Sequence, residues 1–300
     1  MVGTAPTRRG FLASMLAAGA LPVPALSAGR LAWPLAVQLW SVDAQLKQDF
    51  AGTLQALGRL GYREVETAGL HGRSPRAFRA AADRAGLRLV SAHFSMADLF
   101  NDAPARIAEA KALGVQWVVA SAPRPERALP PGDWAEGMRK AMTLSAWQHN
   151  AARLNGYGRA VAGAGMQFAY HNHPFEFAFY EGRRALDLLL AASDPAIVKL
   201  ELDVAWAIAG GADPLQLLRR HGDRIRLLHL KGLKTRPPIG RYGSDFRTGI
   251  LGTADAIDWR PILAAARQAG VRHAFVEQEP PTACPILESL AACRDYLRRL

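Results

Sequence analysis

From Leu35 onward, short apolar runs alternate about eight times with longer amphipathic stretches. The runs at 35–41, 64–66, 87–93, 116–120, 166–171, 197–203, 225–229 and 273–277 have the length and apolar content of buried parallel strands. Between them, 50–60, 75–85, 104–113, 150–164, 185–192, 214–220, 259–269 and 286–298 carry apolar residues at helical spacing. Several of these helices meet a glycine just before the next strand, as at Gly61 and Gly270, where a left-handed C-cap costs little. Strand and helix in strict alternation predict an α/β fold, a single (β/α)8 TIM barrel over residues 35–300. Pro123, Pro125, Pro130 and Pro131 mark a loop after the fourth strand. Residues 232–256 form a long connection after the seventh, of a length that often serves as a lid or binding segment.

Composition adds a leader to this picture. Half of the 300 residues are apolar, and a barrel of this kind takes about 250, so one catalytic domain and a short extension account for the chain. Thr7-Arg8-Arg9-Gly10-Phe11-Leu12 precedes a mildly apolar run that ends in Pro22, Pro24, Ala25, Ser27 and Ala28. Residues 1–28 therefore read as a twin-arginine signal, cleaved near Ser27 and delivering a periplasmic protein. No later stretch approaches the roughly 20 apolar residues of a membrane span, so no stable membrane association is expected after export. The formal charge of +11 comes from scattered Arg, without Lys/Arg blocks interleaved with aromatics. A small-molecule partner is expected rather than nucleic acid. Cys284 and Cys293 are too few for a Cys-rich zinc site, so any metal must be held by His and carboxylates.

TIM barrels build their sites at the C-terminal ends of the strands, and here those ends are polar. Strand two ends at Glu66 and strand three at His93; strand five runs into His171-Asn172-His173-Pro174-Phe175-Glu176. Strand six ends Glu201-Leu202-Asp203, strand seven at His229, and strand eight at Glu277-Gln278-Glu279. Period-two alternation turns Lys199, Glu201 and Asp203 toward the barrel interior. Such charges are costly to bury unpaired, and a bound cation removes that cost. Mixed carboxylate and imidazole donors suit Mn2+, Mg2+, Co2+ or Zn2+, with Mn2+ first for its tolerance of oxygen and nitrogen together.

Seven phrases stand in order: Val37-Gln38-Leu39-Trp40, Leu60-Gly61-Tyr62-Arg63-Glu64-Val65-Glu66, Tyr170-His171-Asn172-His173 with Phe175-Glu176-Phe177, Leu202-Asp203-Val204, His229-Leu230-Lys231-Gly232, Ile257-Asp258-Trp259 and Val276-Glu277-Gln278. On these the chain, from about Ala36 to its C-terminus, resembles the sugar phosphate isomerase/epimerase family with a xylose-isomerase-like barrel. The resemblance implies a metal held by Glu176, Asp203, His229 and Glu277. Several branches of that family carry a Glu on strand five itself, where this chain has Tyr170-His171, so His171 or His173 is an alternative to Glu176. Glu279 shares a strand face with Glu277 and is an alternative to it. The phrase after strand seven departs from the family's His-Leu-Lys-Asp by carrying Gly232.

The chemistry this implies is removal of a proton beside a sugar carbonyl, with metal stabilisation of the enediolate. Glu176 and Glu277 are the expected proton-transfer pair, with His173 and His93 as alternatives that transfer a proton or bind a hydroxyl. His171, Glu66, Lys231 and Arg241 are further substrate contacts. The leading expectation is a metal-dependent isomerase or epimerase of a free sugar, keto-sugar or glycoside, its chemical sibling being a lyase that expels the aglycone of a 3-keto-glycoside. Readings of another class are an endonuclease-like hydrolase on the same barrel and a non-catalytic carbohydrate-binding barrel. A homodimer paired near the active-site face is also compatible with the fold.

Overall fold

In a computed structural model of the protein, Met1 and residues 33–238, 247–253 and 255–300 are described. The leader at 1–28, apart from Met1, and Arg241 lie outside the described residues. Eight parallel strands close into a barrel: β1 (Ala36–Gln38), β2 (Glu64–Thr67), β3 (Arg88–Ser95), β4 (Trp117–Ser121), β5 (Gln167–His171), β6 (Val198–Asp203), β7 (Ile225–Leu230) and β8 (His273–Val276). Each pairs with its neighbour in chain order, and β8 pairs back onto β1. The predicted fold and all eight strands are present.

Two kinds of local chemistry change the predicted boundaries. The first strand stops at Gln38 rather than running to 41, because the Gln38 side chain accepts a hydrogen bond from Trp40 N and turns Leu39–Val42 into a short 3-10 helix. The helix expected from 104 is the second half of Met96–Leu113, which is interrupted at Asp102, whose φ is −156°. Asp102 accepts from Ala105 N and so starts the second half as an N-cap would. Helices at Asp43–Gln48, Trp134–Ala141 and Val204–Ala209 add to those expected. The proline-marked loop after β4 thus contains a helix, capped by Asp133 accepting from Glu136 N at 2.9 Å.

Alternation along each strand separates two cores. One face packs against the surrounding helices in the larger apolar cluster, with Val37, Val65, Leu228 and Val276 among its strand residues. The other fills the barrel with Ala36, Val90, Trp117, Val119, Ala169, Leu227 and Phe275. Two residues further along the same inward face stand Gln38, His171, His229 and Glu277. The apolar plug is therefore also the base on which the polar strand ends rest.

The connection after β7 is tied down at its roots, where Gly232–Leu233 pairs antiparallel with Thr248–Gly249. That pairing explains Gly232. A Cβ there would lie 2.4 Å from the Gly249 carbonyl oxygen, so no residue larger than glycine fits without moving the ribbon. Asp255 fills the neighbourhood instead, accepting from Leu233 N at 3.1 Å and from Trp259 Nε1 at 2.6 Å.

Candidate active site

The barrel mouth holds two groups of polar side chains that share one histidine. In the deeper group, Glu66 Oε1 accepts from Gln38 Nε2 at 2.6 Å and lies 2.8 Å from His229 Nε2 and 3.0 Å from His93 Nε2, while its other oxygen takes the Ser91 hydroxyl. Glu201 Oε2 lies 2.6 Å from His93 Nε2, 3.0 Å from His171 Nδ1 and 3.2 Å from His229 Nε2. In the upper group, His229 Nδ1 lies 2.7 Å from Glu277 Oε2 and 3.8 Å from Asp203 Oδ2. Lys231 Nζ joins them, 3.1 Å from both Asp203 Oδ2 and Glu277 Oε2 and 2.5 Å from Glu279 Oε1.

Local backbone features aim these side chains. The β2–β3 pairing runs Val65 with Leu89 and then Glu66 with Ser91, stepping past Val90. The β6–β7 pairing steps past Arg226 in the same way, between Leu200 and Glu201. Both irregularities fall at the two glutamates of the deeper group, where a bulge re-aims a side chain without ending the strand. Asp203 is fixed differently. Its Oδ1 caps the helix Val204–Ala209 by accepting from Trp206 N at 2.8 Å, and its backbone N–H donates to Asn172 Oδ1 at 3.0 Å. Asn172 therefore locks β5 to the end of β6.

Burial and charge compete at every one of these groups, and the partners decide the outcome. Burial alone would raise the carboxyl of Glu201, as would Glu66 beside it, yet His229 and His93 hold it at about 2. Glu66 and Glu277 are likewise held well below the ordinary carboxylate range, against burial, by His93 and His229 for the first and by Lys231 and His229 for the second. Burial lowers His93, but Glu66 and Glu201 more than offset it and hold the imidazole at about 9. His229 is raised in the same manner by Glu201 and Glu277, and Lys231 by Asp203, Glu277 and Glu279. His171 goes the other way, lowered by burial and by His229.

Among the described residues, two sets of donor atoms have the spacing of a metal site: His93, His171, Glu201 and His229, and Asp203, His229 and Glu277, the atoms of each set lying within 4.8 Å of one another. The donors fit a divalent cation. They are carboxylate oxygens and imidazole nitrogens, all but His93 fully buried, and Glu201 Oε1 has no hydrogen-bond partner. Three of the four residues that the resemblance implied as ligands, Asp203, His229 and Glu277, are brought together.

Glu176 is not brought to them. It sits in the 3-10 turn Pro174–Phe177, where Oε1 accepts from Tyr170 OH at 2.7 Å and Oε2 from His173 N at 2.8 Å. Burial pushes its carboxyl up to about 8. The turn that carries Glu176 folds it back on its own loop, so the strand-five imidazole of His171 takes the place next to the other donors. His173 lines the cavity with its ring T-shaped to Trp134 at 5.0 Å, and burial, then Lys231, lowers it to about 3. Glu66 lies beneath the site with no exposed surface, a floor residue rather than the substrate contact expected. His93, His171 and Lys231 are in the cluster, and Arg241 lies outside the described residues.

Sequence reasoning gave Glu201 no role although alternation had already turned it inward; its Oε2 is shared by three imidazoles. Trp134 was missed because its helix hides in a proline-marked loop. The spacing Asp133–Glu136, an N-cap with a carboxylate in the first turn, was the available signal.

Above the floor opens a cavity of about 1040 Å3, lined by the polar groups and by Trp40, Trp134 and Trp206. Residues 54–299 match the xylose isomerase-like TIM barrel family. The chain belongs to that family. An inosose dehydratase of Geobacillus kaustophilus is 26% identical over 278 residues, covering 82% of this chain and 86% of the relative. A second, from Geobacillus thermodenitrificans, is 29% identical over 171 residues, covering 53% of this chain and 56% of the relative. Among solved structures, a sugar phosphate isomerase/epimerase of Parabacteroides distasonis superposes with a TM-score of 0.67 at 23% identity, covering 92% of this chain and 97% of that one. The IolI protein with a bound zinc atom superposes with a TM-score of 0.64 at 15% identity, covering 87% and 95%. These structural likenesses bear on the fold. Family, relatives and polar floor together make the chain an enzyme with a candidate metal site in its mouth.

Proposed function

We propose that the protein is a metal-dependent dehydratase of a ring polyol bearing a carbonyl. It removes the proton on the carbon beside the carbonyl, the electron pair forms a carbon–carbon double bond, and the hydroxyl on the next carbon leaves with a proton as water. The observation that carries this reading is the relative of matching length, an inosose dehydratase, on a barrel whose mouth gathers His229, Asp203 and Glu277. Isomerases and epimerases start from the same proton removal, so the expectation of an isomerase is narrowed here to an elimination.

Asp203, His229 and Glu277, with His171 and Glu201 alongside, would hold the cation, and Mn2+ remains the first choice for mixed oxygen and nitrogen donors. When bound, a divalent cation supplies the positive charge that stabilises an oxygen anion developing beside it. Glu279 is assigned proton removal. It lies just past β8 at the cavity wall, and burial raises its carboxyl above the ordinary range, which strengthens it as a base. His173, carried past β5 and held neutral, is assigned to hydrogen-bond the ring hydroxyls from the far side. Lys231, tied to three carboxylates, keeps them in register.

The test is incubation of the Mn2+-loaded enzyme with ketone-bearing cyclitols in deuterated water. Loss of water with formation of an unsaturated ketone is expected; deuterium exchange followed only by a stereoisomer would replace dehydration by epimerisation. Glu279→Gln should abolish both while bound metal persists. We further propose that residues 1–28 direct export. Replacing Arg8 and Arg9 by Lys should leave the uncleaved protein in the cytoplasmic fraction, and unchanged export would overturn that part.

A further inference from the structure

The cavity is larger than a single polyol ring needs. At about 1040 Å3 it stands at the top of the roughly 300–1,000 Å3 that small-molecule pockets span, and one six-membered ring with about a dozen heavy atoms fills only a minor share. The rim has its own chemistry. Trp40 follows β1 and Trp134 begins the helix after β4, on different sides of the mouth, and both line the cavity with 50% and 42% of their surface exposed. Exposed indole faces lining a polar site offer a ring a surface to stack on. Between them stand Asp98 and the Arg106–Glu109 pair, joined at 2.6 Å. Aromatic faces interleaved with fixed donors and acceptors suit a ring that is apolar on its faces and hydroxylated around its edge.

Both aromatics stand on fixed ground. Trp40 is fixed by its backbone N–H on Gln38, whose amide also donates to Glu66, so the rim is tied to the floor through one side chain. Trp134 packs edge-on against His173 and Phe175, at 5.0 and 5.4 Å between ring centres. The Trp134 indole is thus prearranged, and the backbone that carries Trp40 is fixed.

We propose that the enzyme takes a two-ring substrate: the oxo-polyol ring sits on the floor, and a glycosyl ring joined to it stacks on Trp40 or Trp134, with its hydroxyls toward Asp98, Arg106 and Glu109. This rests on the dehydratase reading for the floor ring only. An aryl group in the rim would cover the indoles but bring no hydroxyl to Asp98 or to the Arg106–Glu109 pair beside them, which is why the second ring is assigned as a sugar.

Titration calorimetry on the Mn2+-loaded enzyme tests it with unreactive probes: myo-inositol and glucose as single rings, cellobiose and maltose as two glycosyl rings, and phenyl β-glucoside as an aryl control. At least one disaccharide should bind about 10-fold tighter than either single ring. Trp40→Ala or Trp134→Ala should cut that ratio by about 3- to 10-fold, while Trp134→Phe, which keeps a ring and the packing on His173, should retain most of it. Single rings binding as tightly as the disaccharides, or a ratio that survives both Ala substitutions together, would overturn the proposal. Phenyl β-glucoside matching the better disaccharide would overturn the glycosyl assignment. Deuterium exchange on a ketone-bearing cyclitol is measured in parallel. Failure of exchange with the disaccharide preference intact would sink the dehydratase reading and leave the rim site standing.

Discussion

Glu176 and Glu201 are both fully buried in the same barrel, yet the carboxyl of the first is pushed up to about 8 and that of the second is held at about 2. Burial pushes both upward. Glu201 meets three imidazoles, whereas Glu176 meets one phenol and one backbone amide. Neutral hydrogen bonds satisfy a carboxyl group, but they do not pay for its charge. A carboxylate ready to hold a cation and a carboxyl that pins a loop can therefore be buried in the same barrel, told apart by their partners alone.

The harshest way to break this contrast is to strip the cation from a partnered set. Lys231→Met leaves Asp203, Glu277 and Glu279 facing one another in the mouth, and urea unfolding should show a loss of about 3–5 kcal/mol, partly restored by Mn2+. His229→Ala removes the ring shared by both groups. Metal affinity measured by competition with a chelator should fall by more than about 100-fold, beyond what a merely orienting residue gives. Glu66→Gln keeps the shape of the floor but weakens its hold on His229, and the same competition should show a loss of about 10- to 100-fold.

The mildest change sharpens the other side. The folded Glu176 carboxyl, near 8, lies above its ordinary 4.5, so the unfolded chain binds fewer protons between these values. Its contribution to stability is fully present below about 4.5 and is lost as pH rises through about 8. Gln accepts from His173 N and donates to the Tyr170 oxygen, so Glu176→Gln should flatten the decline of the urea midpoint across that window. Bound metal should stay at the wild-type level; a Glu176→Gln protein without metal would return Glu176 to the ligand set.

Strand positions were legible because burial on both faces leaves an apolar run that few other elements produce, and because the runs recur. The inward direction of Glu201 and Asp203 followed from alternation. What alternation could not give was depth, since two inward glutamates at bulges sink beneath the mouth while a strand-end aspartate is drawn up by the helix it caps. Glu176 misled because a position in a loop fixes neither where the loop folds nor what its side chain meets. The phrase surrounding it does place a carboxyl near the mouth, but the 3-10 turn at Pro174 directs it to Tyr170. Gly232 read as a lost carboxylate, and it is instead the residue that lets two backbone segments touch.

His229 presents Nδ1 to Glu277 and Nε2 to Glu66 and Glu201. The raised imidazole, protonated on both nitrogens, donates to both sides, and once one nitrogen is given to a metal ion a single hydrogen remains. Whichever nitrogen is given to a cation, the remaining hydrogen is committed to the carboxylates opposite, and the tautomer of this ring becomes a record of which half of the mouth is filled. Nitrogen chemical shifts of a single labelled side chain would read it directly.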